Sequence, residues 1–108
     1  MTELIRSAFK INCLHGERQV TGWLLKGTHF AVDQRGEWVL THLPTGLQIA
    51  AAGSEKRSIT VERGYRLHRY GKRIGCKWGR KVPFTKAQKA KVYAWMGKQG
   101  WPIIRPVL

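Results

Sequence analysis

The sequence predicts an α+β fold, with an antiparallel sheet built from an N-terminal hairpin, a three-stranded meander and a basic β-ribbon, packed by one C-terminal helix. Three observations carry that expectation. Short runs of alternating apolar and polar residues recur from Phe9 to Val61, separated by segments bearing Gly or Pro, which is the pattern of strands joined by turns. A single stretch, 85–99, combines a cap, helical apolar spacing and a glycine stop. The charge is also divided, with net +1 over residues 1–52 and net +13 over residues 53–108. The first half builds a scaffold, and the second attracts an anion.

Taken in order, Phe9, Ile11 and Cys13 alternate with Lys10 and Asn12, and Gln19 to Lys26 follows after His15-Gly16-Glu17. This predicts the hairpin, with Trp23 and Leu25 on one side. Leu4 and Ile5 ahead of it read as a helical turn or a frayed lead. His29 to Asp33, Glu37 to Leu43 and Leu47 to Ala51 form the meander, separated by Gln34-Arg35-Gly36 and Pro44-Thr45-Gly46. Glycine supplies positive φ at such corners and proline fixes φ. Trp38, Leu40 and His42 alternate with Val39, Thr41 and Leu43, so Glu37 to Leu43 is expected to be covered on both faces and to occupy the sheet centre. Residues 8–52 are the scaffold.

Residues 53–84 are expected to form a ribbon and loop. Ile59 and Val61 alternate with Ser58, Thr60 and Glu62, and Arg63-Gly64 turns the chain toward Tyr65 to Tyr70. Four glycines between Gly64 and Gly79 argue against a helix there. Thr85-Lys86-Ala87-Gln88 has the form of a capping box, and no breaker interrupts the chain before Gly97. Val92, Trp95 and Met96 make its apolar sector, and Ala87, Ala90 and Ala94 a shallow second one. Residues 100–108, with prolines at 102 and 106, predict an extended tail against the body or a partner chain. Strands followed by one Lys-rich helix, Thr85 to Met96, resemble in architecture the double-stranded-RNA-binding domain and the three-strand-plus-helix DNA-binding domains of some integrases. The chain is assigned to neither, and the likeness implies nothing about function.

At 108 residues with 43% hydrophobic residues and five tryptophans, the chain suits a single folded domain, 1–108, and not a disordered basic tail. A pI near 10.6 is the electrostatic footprint of a nucleic-acid binder, with an acidic protein surface as the competing partner. No apolar run approaches the roughly 20 residues needed to span a membrane, and the N-terminus lacks the form of a signal peptide. A cytoplasmic protein is expected, with Cys13 and Cys76 as buried thiols.

The charge concentrates in Arg63 to Lys81, which holds eight Lys or Arg and no carboxylate. Arginine offers a fork of donors to each phosphate, lysine a point charge, and an aromatic ring a platform for a base. The nucleic-acid contacts are therefore placed at Arg57, Arg63, Arg66, His68, Arg69, Tyr70, Lys72, Arg73, Lys77, Trp78, Arg80, Lys81, Lys86 and Lys89. Trp78, flanked by Lys77, is weighed between base stacking and a lid over the core. In a strand the three-residue cation period throws Arg66 to the face opposite Arg63 and Arg69, so a single-faced patch does not follow from the spacing.

Catalytic and metal chemistry find little support. Cys13-Leu14-His15 has no second short-spaced pair of ligands. Asp33 and Glu37 could face each other across a turn, but no third ligand follows, and no nucleophile elbow or phosphate loop is present. No cofactor, no metal and no enzyme activity are expected. The expected function is nucleic-acid binding, DNA or RNA, mainly to the phosphate backbone through residues 57–98. The alternative is an inhibitor or adaptor of mobile-element or phage type, whose basic face binds an acidic surface or nucleic-acid channel of a host enzyme or ribonucleoprotein. A homodimer through the C-terminal tail is a further possibility.

Overall fold

A computed structural model describes residues 3–13 and 16–101. Residues 14–15, between the two expected hairpin strands, and 102–108, with the dimer contact expected of the tail, lie outside the described residues. The chain runs through five strands, β1 (Leu4–Cys13), β2 (Gly16–Leu25), β3 (Phe30–Arg35), β4 (Glu37–His42) and β5 (Leu47–Gln48). A short 3-10 turn at Ala50–Ala52 leads to two helices, α1 (Arg57–Arg73) and α2 (Lys86–Lys98). The fold is α+β, with an antiparallel sheet in the order β1-β2-β3-β4-β5.

The hairpin and meander form where alternation and turn chemistry place them, except that the last strand, expected over 47–51, stops at Gln48 and gives way to the 3-10 turn. β1 already begins at Leu4, which pairs with Leu25, so Leu4 and Ile5 are strand and not a lead. Gly36 and Gly46 close their turns at φ 81 and 70, values that cost glycine little. β3, not β4, is the middle strand, because the ribbon expected to extend the sheet past β5 is absent, residues 57–73 being helical. The double coverage of β4 holds, since Val39, Leu40, Thr41 and His42 are all buried.

The sheet is strongly coiled. β2 pairs with β1 along its whole length but with β3 only through Trp23 and Leu24. It crosses β3 at Gly22, where a Cβ would stand 2.2 Å from the Val32 carbonyl oxygen. The end of β1 then reaches the β4–β5 turn, with the Asn12 amide donating to the Gly46 carbonyl at 2.8 Å and the Asn12 side chain to that of Thr45 at 2.6 Å. Phe9, Ile11 and Ala31 are buried inside the curl. The larger core lies on the other face, where Leu25, Phe30, Val32 and Leu40 meet Val61 and Leu67 of α1 and Val92 and Met96 of α2.

Segment 57–73, expected to be ribbon and loop, is a helix of 17 residues. Its local signals are weak, with no side-chain cap and no acidic residue in the first turn. Tertiary packing decides the outcome. Thr60, Val61, Gly64, Leu67 and Gly71 are buried at a spacing that lines one helical face. The two glycines each cost about 0.5–1 kcal/mol relative to alanine in a helix, while fully burying a Val or Leu side chain contributes about 1.5–3 kcal/mol. The glycines also permit the packing. A Cβ on Gly64 would lie 2.6 Å from Leu25, and one on Gly71 2.3 Å from the Trp78 ring.

α2 begins at the expected capping box, with the Thr85 hydroxyl accepting from the Gln88 amide and the Gln88 side chain accepting from the Thr85 amide. Val92 and Met96 are its buried residues, with Trp95 half-buried. Ala87, Ala90 and Ala94 are exposed, so the shallow second packing sector does not form. Cys76 is buried, but Cys13, at the end of β1, is exposed and not the buried thiol expected; both are free thiols. Among the described residues no helix is long and apolar enough to cross a membrane.

Candidate nucleic-acid interface

Folding 57–73 as a helix changes what the cation spacing means. Side chains three, four and seven apart share a helical face, so Arg66, Arg69 and Arg73 stand on one side of α1, away from the face carrying Val61, Gly64 and Leu67. Arg69 and Arg73 are exposed. The described ion pairs are Lys10–Glu17, Lys26–Glu3 and Arg35–Asp33, so no α1 arginine is matched by a carboxylate among the described residues.

Aromatic rings between α1 and α2 hold several of these cations in place. Tyr70 stacks on Trp95, and Trp95 meets Trp101 edge-on at 5.1 Å. The Arg66 guanidinium lies 5.9 Å from the Trp95 centroid and 6.0 Å from that of Trp101, and donates to the Gln99 side-chain oxygen. Arg63 sits 5.6 Å from Trp101 and donates to the Gly53 carbonyl at 2.9 Å. Arg73 covers Tyr70 at 5.3 Å. Arg66, Arg69, Tyr70, Arg73 and Trp95 together line a shallow groove of about 310 Å³. Stacking cations on rings removes rotamers before any ligand arrives, which lowers the ordering cost of binding.

The other expected contact residues are distributed differently. Arg57, in the first turn of α1, lies 5.0 Å from Trp23 and 5.9 Å from Trp38. Lys72 is exposed beside the arginine face, and Lys77 and Arg80 are exposed in the connecting loop. Lys81, Lys86 and Lys89 border a separate groove of about 300 Å³, with Leu47, Val82 and Phe84 as its apolar part. The structure therefore gathers Arg66, Arg69 and Arg73 on one face of α1 and Lys81, Lys86 and Lys89 around a groove at the start of α2, and leaves Arg57, Lys77 and Arg80 apart from both.

Trp78 is not a platform for a base. It is 3% exposed, packs edge-on against Phe30 and Phe84, and donates its indole N–H to the His68 carbonyl at 3.2 Å. Gly71 leaves the space that the ring fills. Tyr70 is closed to stacking by Trp95 on one side, with the Arg73 cation close by.

His68 is half-buried, with its Nδ1 enclosed and without a hydrogen-bond partner. Burial, followed by the charges of Lys72, His29 and Arg69, lowers its pKa from the ordinary histidine value. A neutral His68 adds no cation to the face. His42 is fully buried, and its pKa is lowered by burial against the opposing pull of the Trp78 carbonyl. Its Nε2 donates to that carbonyl at 2.6 Å; a carbonyl can only accept, so Nδ1 is left to accept from the Thr45 hydroxyl at 2.9 Å.

Asp33 is buried and pairs with Arg35 at 2.9 Å, and Arg35, not Asp33, lies opposite Glu37 in the sheet. Among the described residues no group of three or more His, Cys, Asp or Glu is placed to hold a metal ion. Sequence reasoning missed Gln99, Trp95 and Trp101 as partners of the arginines, and missed Glu62 on the arginine side of α1. The signal for the last was Glu62 standing four residues before Arg66 and seven before Arg69, a relation that means proximity only on a helix. No protein-family model, curated protein or solved structure matches the chain.

Proposed function

We propose that this chain is a nucleic-acid-binding protein that grips the phosphate backbone with the outer face of α1. One observation carries the reading: Arg66, Arg69 and Arg73 share a helical face and have no carboxylate partner among the described residues. Collecting like charges on one face costs free energy unless an anion offsets it. A polyanion with regularly spaced phosphates meets that requirement. Lys72 borders that face, whereas Arg57 lies round the helix over Trp23 and Trp38; the proposed role is binding without catalysis, in the cytoplasm.

Titrating labelled duplex and single strands at several salt concentrations tests this. Neutralising about five phosphates implies a slope of log affinity against log salt of roughly −3.5 on single strands to −4.5 on duplex. An affinity flat with salt would overturn the proposal.

A second reading draws support from the lysine-rimmed groove, where Val82 is 78% exposed beside Phe84. An apolar anchor ringed by Lys81, Lys86 and Lys89 suits an acidic protein surface, as an inhibitor or adaptor of mobile-element or phage type would require. Loss of acidic-protein binding in Val82→Asp, with nucleic-acid binding intact, would favour it.

A further inference from the structure

A second concavity opens on the flank of α1 away from α2, and it differs from a phosphate track in holding a carboxylate. It measures about 430 Å³, within the range of small-ligand pockets. Leu4 of β1 and Val61 supply its apolar part, and Tyr65 a wall. That wall is fixed, because the Tyr65 hydroxyl lies 3.0 Å from the Glu3 carbonyl and 3.1 Å from that of Lys26. Arg57 stands at one end, positioned by Trp23 and Trp38, and Arg69 of the phosphate-facing side lines the pocket as well.

Glu62 lines the same space. It is exposed and forms no ion pair among the described residues, although Arg66 is four residues away on the helix. A carboxylate here weakens every phosphate contact nearby, so a purely electrostatic surface is better without it. An ionised carboxylate only accepts hydrogen bonds, through two oxygens side by side. Among the nucleobases, guanine alone offers two adjacent N–H donors on its Watson–Crick edge, at N1 and N2. That edge is occupied in a duplex and free in an unpaired nucleotide.

We infer that this pocket takes one unpaired guanine nucleotide of a single strand, with Glu62 accepting from the base edge, Tyr65, Leu4 and Val61 holding the ring, and Arg57 and Arg69 on the flanking phosphates. The inference rests on the proposed nucleic-acid function and gives the surface a base preference that the arginine face lacks. Glu62 discriminates by attracting guanine and by repelling the carbonyl-bearing edges of thymine and uracil.

Fluorescence anisotropy with short oligothymidine, the same strand with one central guanosine, and the same strand with inosine at that position tests this. The guanosine strand should bind about tenfold more tightly than oligothymidine, the scale of one good bidentate base contact. Inosine, lacking the N2 amine, should lose most of that gain. Glu62→Gln should abolish the preference while tightening oligothymidine, since it removes a negative charge; circular dichroism confirms that the exposed substitution leaves the fold intact. If the parent binds all three strands equally with a steep salt dependence, or if Glu62→Gln tightens all three alike, the pocket inference is overturned and the backbone reading stands. If none of the three binds while duplex does, the pocket inference falls and the backbone reading stands; if duplex fails to bind as well, both fall.

Discussion

Tyr70 lies flat on Trp95, with ring centroids 4.7 Å apart and planes 8° from parallel. This pair joins the outer side of α1 to α2, and Trp101 closes it from the edge. Trp95→Ala removes the stack, the edge contact and the ring beneath Arg66 together. It should destabilise the fold by about 3 kcal/mol, the lower end for deleting a large aromatic, because Trp95 is only half-buried. Lys98→Ala, on the exposed end of α2, should be near neutral. Thermal melts of the two variants check this, and an unchanged melt for Trp95→Ala would show that the stack contributes nothing.

Arginine and tryptophan substitutions in the basic stretch should separate binding from folding. Arg69→Ala with Arg73→Ala touches exposed side chains without hydrogen-bond partners in the described structure, so the melt should stay within about 1 kcal/mol of the parent. The log–log salt slope should flatten by about one unit per lost phosphate contact. Trp78→Ala should do the reverse. It empties a buried site beside Phe30 and His42 and should cost about 3–5 kcal/mol, with affinity unchanged under conditions where the variant remains folded. A selective loss of single-strand affinity in folded Trp78→Ala would restore the stacking role that its burial removes.

Stability should fall on acidification below neutral pH. The folded state lowers the pKa of His42 and of His68, in both cases chiefly through burial. A base whose folded pKa lies below its unfolded value of about 6.5 takes up its proton more readily in the unfolded chain. The contribution of each is complete above that value and is lost as pH falls through the folded pKa. Melting temperature measured from about pH 7 down to about pH 5 should decline, and His42→Gln should reduce the decline. A flat profile would mean that neither ring is held neutral.

The strands were legible because alternation, Gly36 and Gly46 all pointed to the same turns, and α2 because its capping box stands in consecutive residues. α1 was not. Ile59 and Val61 between Ser58, Thr60 and Glu62 imitate a half-buried strand, and Gly64 and Gly71 read as breakers. What they provide is close approach to Leu25, Leu40 and Trp78, a relation between distant parts of the chain that spacing cannot express. The same error hid the arginine face. A three-residue period scatters on a strand and gathers on a helix, so the interface became visible only with the right backbone. Trp78, left open between a base platform and a lid over the core, was undecided for a related reason. A ring next to Lys77 in sequence looks accessible, whereas the space under Gly71 draws it inward.

The seating of the Trp78 ring against Gly71 divides α1 between two kinds of evolutionary change. On the inner side, any residue larger than glycine at 71 drives a Cβ into the rigid indole, and at 64 it meets the methyl ends of Leu25 and Leu40, which must shift to admit it, so variation is most restricted at 71. On the outer side, Arg69 is exposed and Arg73 rests on the surface of the Tyr70 ring, so neither side chain fills a buried site. Descendants of this chain can therefore trade one ligand for another by exchanging a few surface charges along a helix whose placement they cannot alter.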